Sequence, residues 1–375
     1  MKKKIGLISY YKDPNYGTVY QAYALAKAIS NLGHQCEYIQ YEPIYKTPIA
    51  LIRIKKLVKD VLTRIGVYKH PETEVSFLKS NDFRVFRKNF DSFVKNNIPV
   101  SKRLYFIDDI SYSANEYDLF VVGSDQTWSP QMNSNPHTLN FLSFVDDVKK
   151  KRSYAPSIGT THISAEYLDV LKHHLSTFEF LSCREFLNSS LLEKELQKKV
   201  QYVIDPTLLL TASEWASISK PTKLPAKYIL VYLLGAKQCI LEFAENISKQ
   251  TGLPLYYVVS RPEYLTKDHA LVNLTPESML YALQNATCVI TDSFHGTVFS
   301  VNFNTNFYSF AKRAGGEGVY DNDRIMDFLS VIGLQERFVA DDQQREFSSV
   351  NFSEANKILL NLRTISQKYL HGIVE

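Results

Sequence analysis

Short apolar runs alternate with helical patterns along nearly the whole chain, and this alternation restricts the fold more than any other feature. The opening is the clearest case. Lys4 to Tyr10 reads as a strand, Lys12-Asp13-Pro14-Asn15-Tyr16-Gly17 as a turn-rich loop, Thr18 to Leu32 as a helix stopped by Gly33, and Cys36 to Tyr41 as a second strand. Strand, helix and strand in that order make a parallel βαβ unit, since a parallel pair needs a long crossover. Further strand-like runs follow at Asp118 to Gly123, Arg152 to Ile158, Phe178 to Cys183 and Gln201 to Ile204, with helical patterns between them. One doubly wound unit therefore fills residues 1–210.

The polar, proline-bearing stretch Thr211 to Lys227 reads as a crossing, after which the alternation restarts. Strands are expected at Tyr228 to Leu234, Leu255 to Val259, Thr287 to Thr291 and Asn306 to Phe310. Helices are expected at Lys237 to Gln250, Pro276 to Asn285 and Phe294 to Asn302. This second unit spans residues 211–352. A last helix, Ser353 to Leu370 within residues 353–375, is expected to return and brace the first unit. The fold class is α/β, two Rossmann-like units facing across a cleft, with ligands at the carboxyl ends of the strands. No Gly-x-Gly-x-x-Gly and no Walker A sequence occurs, so a tightly held dinucleotide or P-loop nucleotide is not expected.

Composition closes off other classes. Hydrophobic residues at 45% and charged residues at 22% are ordinary globular usage, which removes disordered and fibrous readings. Lys plus Arg exceed Asp plus Glu by 43 − 39 = 4, too little to argue for a nucleic-acid partner. The apolar run after Met1-Lys2-Lys3-Lys4 is too short for an export signal, and no run is long enough to span a membrane. Cys36, Cys183, Cys239 and Cys288 stand singly, the pattern of reduced thiols in a cytoplasmic protein rather than of a metal site. One segment departs from the plan. In residues 50–65, Ile54, Leu57, Val58, Val61, Leu62 and Ile65 recur at helical spacing opposite Arg53, Lys55, Lys56, Lys59 and Arg64. Packing on its own unit is the plainer reading, and peripheral contact with an anionic membrane surface is the other.

His295 lies where the strand Thr287 to Thr291 turns into the next helix, in Asp292-Ser293-Phe294-His295-Gly296-Thr297. A histidine there can exchange a proton near neutrality, and the free amides of a helix start favour an anion beside it. The plainer alternative is a histidine that only bonds backbone. Asn15-Tyr16-Gly17 occupies the matching turn of the first unit: Asn15 suits a helix cap, Gly17 admits close approach, and Gln21 projects near the same helix end. Ser124-Asp125-Gln126-Thr127-Trp128 follows another strand, and its polar groups beside an aromatic ring suit a sugar as well as they suit a self-satisfied loop. Arg184, at the strand end Ser182-Cys183-Arg184-Glu185, can hold a carboxylate or phosphate, or pair internally with Glu185 or another acid. Lys312, Arg313 and Arg324 form a second basic group flanking the glycine-rich loop Gly315 to Gly318. Asp321-Asn322-Asp323 has the look of an Asp-x-Asp metal site but opens a helix, where Asp323 serves as a cap; no metal site is expected.

Taken in order, Asn15-Tyr16-Gly17, Gln21-Ala22-Tyr23-Ala24-Leu25, Asp118 to Trp128, Ser153-Tyr154-Ala155, Ser182 to Glu185, Asp205-Pro206-Thr207 and the His295 run resemble the polysaccharide pyruvyl transferase family. The resemblance spans most of the chain and is weakest over residues 42–100. It implies a GT-B-like pair of Rossmann-like domains and, with no bound cofactor, phosphoenolpyruvate as co-substrate. The pyruvate would form a cyclic ketal on a sugar of a surface polysaccharide or its lipid-linked precursor. It further implies that His295 is the essential histidine and that Arg184 contacts the donor. Relatives carry an arginine two positions before the histidine, where this chain has Ser293. On this reading Ser293, Gly296, Lys312, Arg313 and Arg324 join Arg184 on the donor side. Asn15, Tyr16, Gly17, Gln21, Ser124, Asp125, Gln126 and Trp128 lie on the acceptor side, and Asp292 or Asp125 accepts hydroxyl protons. The alternative is a GT-B glycosyltransferase using a nucleotide-sugar.

Overall fold

The computed structural model describes residues 1–42, 81–130, 139–235, 237–312, 323–340 and 343–375. The first unit opens with β1 (Lys4–Ile8), α1 (Tyr16–Asn31) and β2 (Gln35–Glu42). It continues with α2 (Asn81–Asn97), β3 (Val100–Phe106), β4 (Leu119–Val122) and β5 (Lys151–Ser153). Its five strands are parallel in the order β3-β2-β1-β4-β5, with Ile5 opposite both Cys36 and Leu119. The middle strand β1 is apolar at almost every position because both of its faces are covered. Asn15 caps α1, its side chain accepting from Thr18 N–H at 3.4 Å, and Gly33, at φ +88°, supplies the left-handed residue beyond the helix end.

A separate two-stranded parallel sheet follows: α3 (Ala165–Leu175), β6 (Leu181–Cys183), α4 (Phe186–Leu196) and β7 (Val200–Tyr202). It touches the main sheet through a parallel bridge between Arg152 and Phe180. The strand-like runs Phe178 to Cys183 and Gln201 to Ile204 therefore form an annex to the main sheet. The short helix α5 (Ala212–Ala216) then lies inside the stretch read as a crossing. It is set by a capping box between Thr211 and Glu214, and it drives Trp215 into the core.

The second unit comprises β8 (Ile229–Tyr232), α6 (Gln238–Thr251), β9 (Leu255–Val258), β10 (Ala270–Leu271), α7 (Pro276–Asn285), β11 (Cys288–Thr291), α8 (Phe294–Phe303), β12 (Phe307–Phe310), α9 (Asp323–Val331) and β13 (Phe338–Val339). Its six strands are parallel in the order β10-β9-β8-β11-β12-β13. Both units are Rossmann-like and stand in the GT-B-like relation expected, since the carboxyl ends of β1, β4 and β11 meet at one seam. α2, β3, β10 and β13 have no counterpart in the sequence reading. The helical segment 50–65, Arg313 and the loop Gly315 to Gly318 lie outside the described residues.

The seam is apolar except where the strand ends converge. Tyr20 of the first unit packs edge-on against Trp215 and Phe299, with centroids 5.6 and 5.0 Å away. Its hydroxyl donates to Pro276 O at 2.6 Å, and Tyr16 donates to Leu274 O at 3.0 Å. One continuous core thus includes residues of both units, each large side chain contributing about 1.5–3 kcal/mol on burial. The last helix, α10 (Ser353–Val374), lies against the first unit: Arg363 donates to Leu208 O at 2.7 Å, Ser366 accepts from Ile204 N–H at 3.0 Å, and Tyr369 donates to Ser153 O at 3.1 Å. Among the described residues no helix is long and apolar enough to cross a membrane.

Candidate active site

β11 ends at Thr291, and two residues turn the chain into α8. Thr291 Oγ1 donates to Tyr232 O at 2.6 Å and accepts from Ser293 N–H at 3.0 Å, which fixes the turn. Ser293 caps the helix by accepting from Gly296 N–H at 3.3 Å, and Gly296 packs so closely on Thr291 that a Cβ would overlap its hydroxyl. His295, on the first turn and 8% exposed, then meets the first unit at the start of α1. A Cβ on Gly17 would overlap the imidazole Nδ1 and stand 2.6 Å from both Cγ and Cε1. The glycine is therefore what lets the two helix starts come together.

Behind the ring stands Asp205, whose Oδ2 is 3.8 Å from His295 Nε2. The same oxygen accepts from Arg184 Nη1 at 2.7 Å and from Ser124 Oγ at 2.9 Å. Its other oxygen accepts from Thr207 N–H at 3.0 Å and Thr207 Oγ1 at 2.7 Å. Burial pushes the Asp205 carboxyl up, but His295, Arg184 and Thr207 together outweigh that and hold it well below the ordinary carboxylate range. Arg184 is 5% exposed; burial disfavours its charge, yet Asp205, Glu185 and Asp125 carry the balance the other way. Its Nε is 3.5 Å from Glu185 Oε1, the internal pair the sequence allowed, while Nη2 is buried without a hydrogen-bond partner. Phe294 lies between the groups, its ring 5.3 Å from that of His295, 4.4 Å from the Arg184 guanidinium and 5.7 Å from that of Arg324.

The annex holds Arg184 in place. Glu185 begins α4 without capping it, its carboxylate instead accepting from Ser157 Oγ and Ile158 N–H. The amides of Phe186 and Leu187 are satisfied from the other unit by Asp327 of α9, at 2.7 and 3.1 Å. Burial pushes the Asp327 carboxyl up to about 6 despite those two bonds. Helix α9, which carries Arg324 to Phe294, is thereby pinned to the helix that follows Arg184.

Several expectations change. Asp292 gives both oxygens to the amides of Leu234 and Gly235, at 2.6 and 2.7 Å, and so braces the second unit, while burial pushes its carboxyl up. Trp128 is wholly buried between Phe141 and Phe178 with its indole N–H on Asn140 O, and it offers no ring face to a sugar. Gln21 and Tyr16 are likewise interior: the Gln21 amide donates to Tyr10 O at 2.6 Å and Thr18 O at 3.0 Å, while Tyr16 belongs to the seam. Ser124 is buried against Asp205 and Arg184 rather than turned to an acceptor. Asp125 sits at the start of α1 in a left-handed conformation, φ +69°, with Thr18 Oγ1 donating to its Oδ2 at 3.0 Å. Gln126 follows it, with its side chain over Gly159. Lys312, two residues after β12, has its backbone carbonyl beside Gly235. Among the described residues no group of three or more His, Cys, Asp or Glu is placed to hold a metal.

Asp205, Thr207 and Phe294 are the site residues that sequence reasoning missed. The Asp205-Pro206-Thr207 run carried an Asx-turn signal, but nothing in it pointed to a histidine in the other unit. The contact at Gly17 predicts its own test. Gly17→Ala is expected to cost about 1–3 kcal/mol by overpacking, and to lower turnover about 10²-fold by displacing the imidazole. Gly372→Ala, in open space on α10, should lower neither stability nor turnover. Unfolding midpoints and initial rates of the two variants check this.

Comparison with known proteins agrees with the order of these parts. Matches among solved structures are distant. The UDP-GlcNAc 2-epimerase of Methanocaldococcus jannaschii is 11% identical, with 96% of this chain and 92% of that one covered at a TM-score of 0.48. The glycosyltransferase SnogD of Streptomyces nogalater is 10% identical, covering 100% and 98% at 0.42. The protein KP1_0663 of Klebsiella pneumoniae is 14% identical, covering 68% and 84% at 0.39. No curated protein matches the chain. A family model, by contrast, matches residues 15–311, a span that runs from the cap of α1 through Arg184, Asp205 and His295 to the end of β12. On that match the chain belongs to the polysaccharide pyruvyl transferase family.

Proposed function

We propose that the protein transfers the pyruvyl group of phosphoenolpyruvate to a sugar of a surface polysaccharide or its lipid-linked precursor, closing a cyclic ketal. The observation that carries this reading is the buried Arg184 guanidinium, whose Nη2 has no hydrogen-bond partner, gathered with His295 at one seam. Leaving such a donor unmatched costs about 1–3 kcal/mol, and an acceptor-rich anion would satisfy it. Phosphoenolpyruvate brings a carboxylate and a phosphate. Arg184 takes one of these, and Arg324, beside Phe294, supplies the second cation where relatives carry an arginine at the position of Ser293.

His295 then acts as the acid. Its proton passes to the methylene carbon, which becomes the methyl group, and positive charge develops at the neighbouring carbon beside the donor's carboxylate. One sugar hydroxyl bonds to that carbon and gives up its proton. A second hydroxyl does the same as the carbon–oxygen bond to phosphate breaks, so one inorganic phosphate leaves for each ketal formed. Asp125, whose carboxylate accepts from Thr18 Oγ1 on the first turn of α1, takes up a hydroxyl proton, and Asn15 and Gln126 complete the acceptor side. Phosphoenolpyruvate as co-substrate puts the reaction in the cytoplasm, and a lipid-linked acceptor would bring it to the inner face of the membrane.

The test is to incubate the purified protein with phosphoenolpyruvate, or with nucleotide-sugars, and a panel of galactosyl and mannosyl acceptors. Phosphate release that requires both phosphoenolpyruvate and a sugar is the expected result. Nucleotide release from a nucleotide-sugar, with no reaction of phosphoenolpyruvate, would overturn the reading in favour of a glycosyltransferase.

A further inference from the structure

The proposed chemistry leaves Asp205, a buried charge beside both Arg184 and His295, without a task. Asp205 is 3% exposed, and its neighbours come from three separated parts of the chain: Ser124 after β4, Arg184 after β6 and His295 in the second unit. Stability does not account for it. A buried ion pair gives up so much hydration that apolar residues of the same volume commonly serve as well or better. The division of labour between its two oxygens is more informative. Oδ1 is locked by the backbone and hydroxyl of Thr207, a local turn that fixes the plane of the carboxylate. Oδ2 alone faces the site, where it holds one edge of the Arg184 guanidinium and stands 3.8 Å from the imidazole. That gap is too long for a hydrogen bond, and such contacts tighten when a ligand draws a site together.

We infer that Asp205 is the positioning residue of this site, shared by the two units: it holds Arg184 by Nη1 so that Nη2 faces an anion, and it orients the His295 imidazole from behind, the gap closing to a hydrogen bond when a ligand draws the site together. The inference rests on the proposed reading only in taking His295 and Arg184 as the reacting site. It assigns Asp205 no contact with substrate. It also gives Thr207 a function, since its hydroxyl sets the direction in which Oδ2 points.

Two variants of the full chain test it, Asp205→Asn and Thr207→Val. The first removes the charge. The second leaves the charge and loosens only its anchor. The readout is the pair of side-chain nitrogen signals of His295 in protein carrying ¹⁵N-histidine, assigned through their loss in His295→Gln and followed with and without inorganic phosphate; kcat and KM for phosphoenolpyruvate are measured alongside. Both variants should shift the His295 nitrogen signals and abolish the further shift on adding phosphate. The kcat should fall about 10²-fold in Asp205→Asn and about tenfold in Thr207→Val, the scale expected of a misplaced catalytic group. A merely structural Asp205 would lower the unfolding midpoint while leaving the His295 signals and the kcat of the folded fraction as they are, and that result would overturn the inference. Should Asp205→Asn fail to fold, unchanged His295 signals in Thr207→Val would overturn it equally. If phosphoenolpyruvate proves not to be a substrate, the proposed function fails while the nitrogen signals still decide the role of Asp205.

Discussion

Replacing His295 with glutamine should leave a folded protein whose turnover is lowered about 10²- to 10⁴-fold, the usual loss when a positioned acid is removed. Glutamine keeps much of the volume beside Gly17 and Phe294, so the contact between α8 and the start of α1 persists. It also keeps polar atoms opposite Asp205, so the carboxylate is not left against an apolar wall. What it cannot do is carry and release a proton near neutrality. Far-ultraviolet circular dichroism and the unfolding midpoint should therefore match the parent, while phosphate release from phosphoenolpyruvate collapses. A variant that retained more than a tenth of the parent rate would remove His295 from the chemistry, whatever the donor.

Arg184→Met should show the larger effect on stability, a loss of about 3–5 kcal/mol, because it strands the buried Asp205 without the cation that compensates it. Both side chains are about 1% exposed, so water cannot take the arginine's place. A double variant, Arg184→Met with Asp205→Leu, should recover most of that stability, since an apolar pair bears no desolvation cost. It should not recover anion binding. Urea unfolding of the two variants, with isothermal titration of phosphoenolpyruvate, separates the two roles. If the single variant is as stable as the parent, the guanidinium is not paired with Asp205 in solution. If the double variant binds phosphoenolpyruvate as tightly as the parent, Arg184 is not the donor contact.

The elements most readily legible in the sequence were those whose signals are local. Pro276 to Asn285 was bounded to the residue because Thr275 and Pro276 mark a helix start without help from the rest of the chain. The βαβ opening and the strand before His295 were legible for the same reason: a capped or glycine-terminated helix next to a short apolar run leaves few alternatives. β10 and β13 were not, since each is two residues long and exists only because a neighbouring strand offers it hydrogen bonds. Residues 178–204 illustrate a subtler limit. Their strand-forming pattern was visible, but whether they extend the main sheet or stand beside it is decided by packing.

The candidate site divides along the same line. Taken alone, the chain determined that His295 and Arg184 each lie at a strand end leading into a helix, because hydrophobic periodicity and capping act over a few neighbouring residues. Which atoms those side chains face was settled only in the tertiary structure. Trp128 and Gln21 had the chemistry of sugar contacts and turned out to be interior, and Asp292 was drawn onto the amides of Leu234 and Gly235. Asp205 stood in the sequence only as part of the Asp205-Pro206-Thr207 run, and folding placed it between a guanidinium and an imidazole from different units. The physical reason is range: turns and helix starts are encoded by adjacent residues. The partner of a buried charge is whatever the fold brings within a few ångströms, and here that depends on a glycine at position 17 leaving room for the ring of a histidine in the other unit.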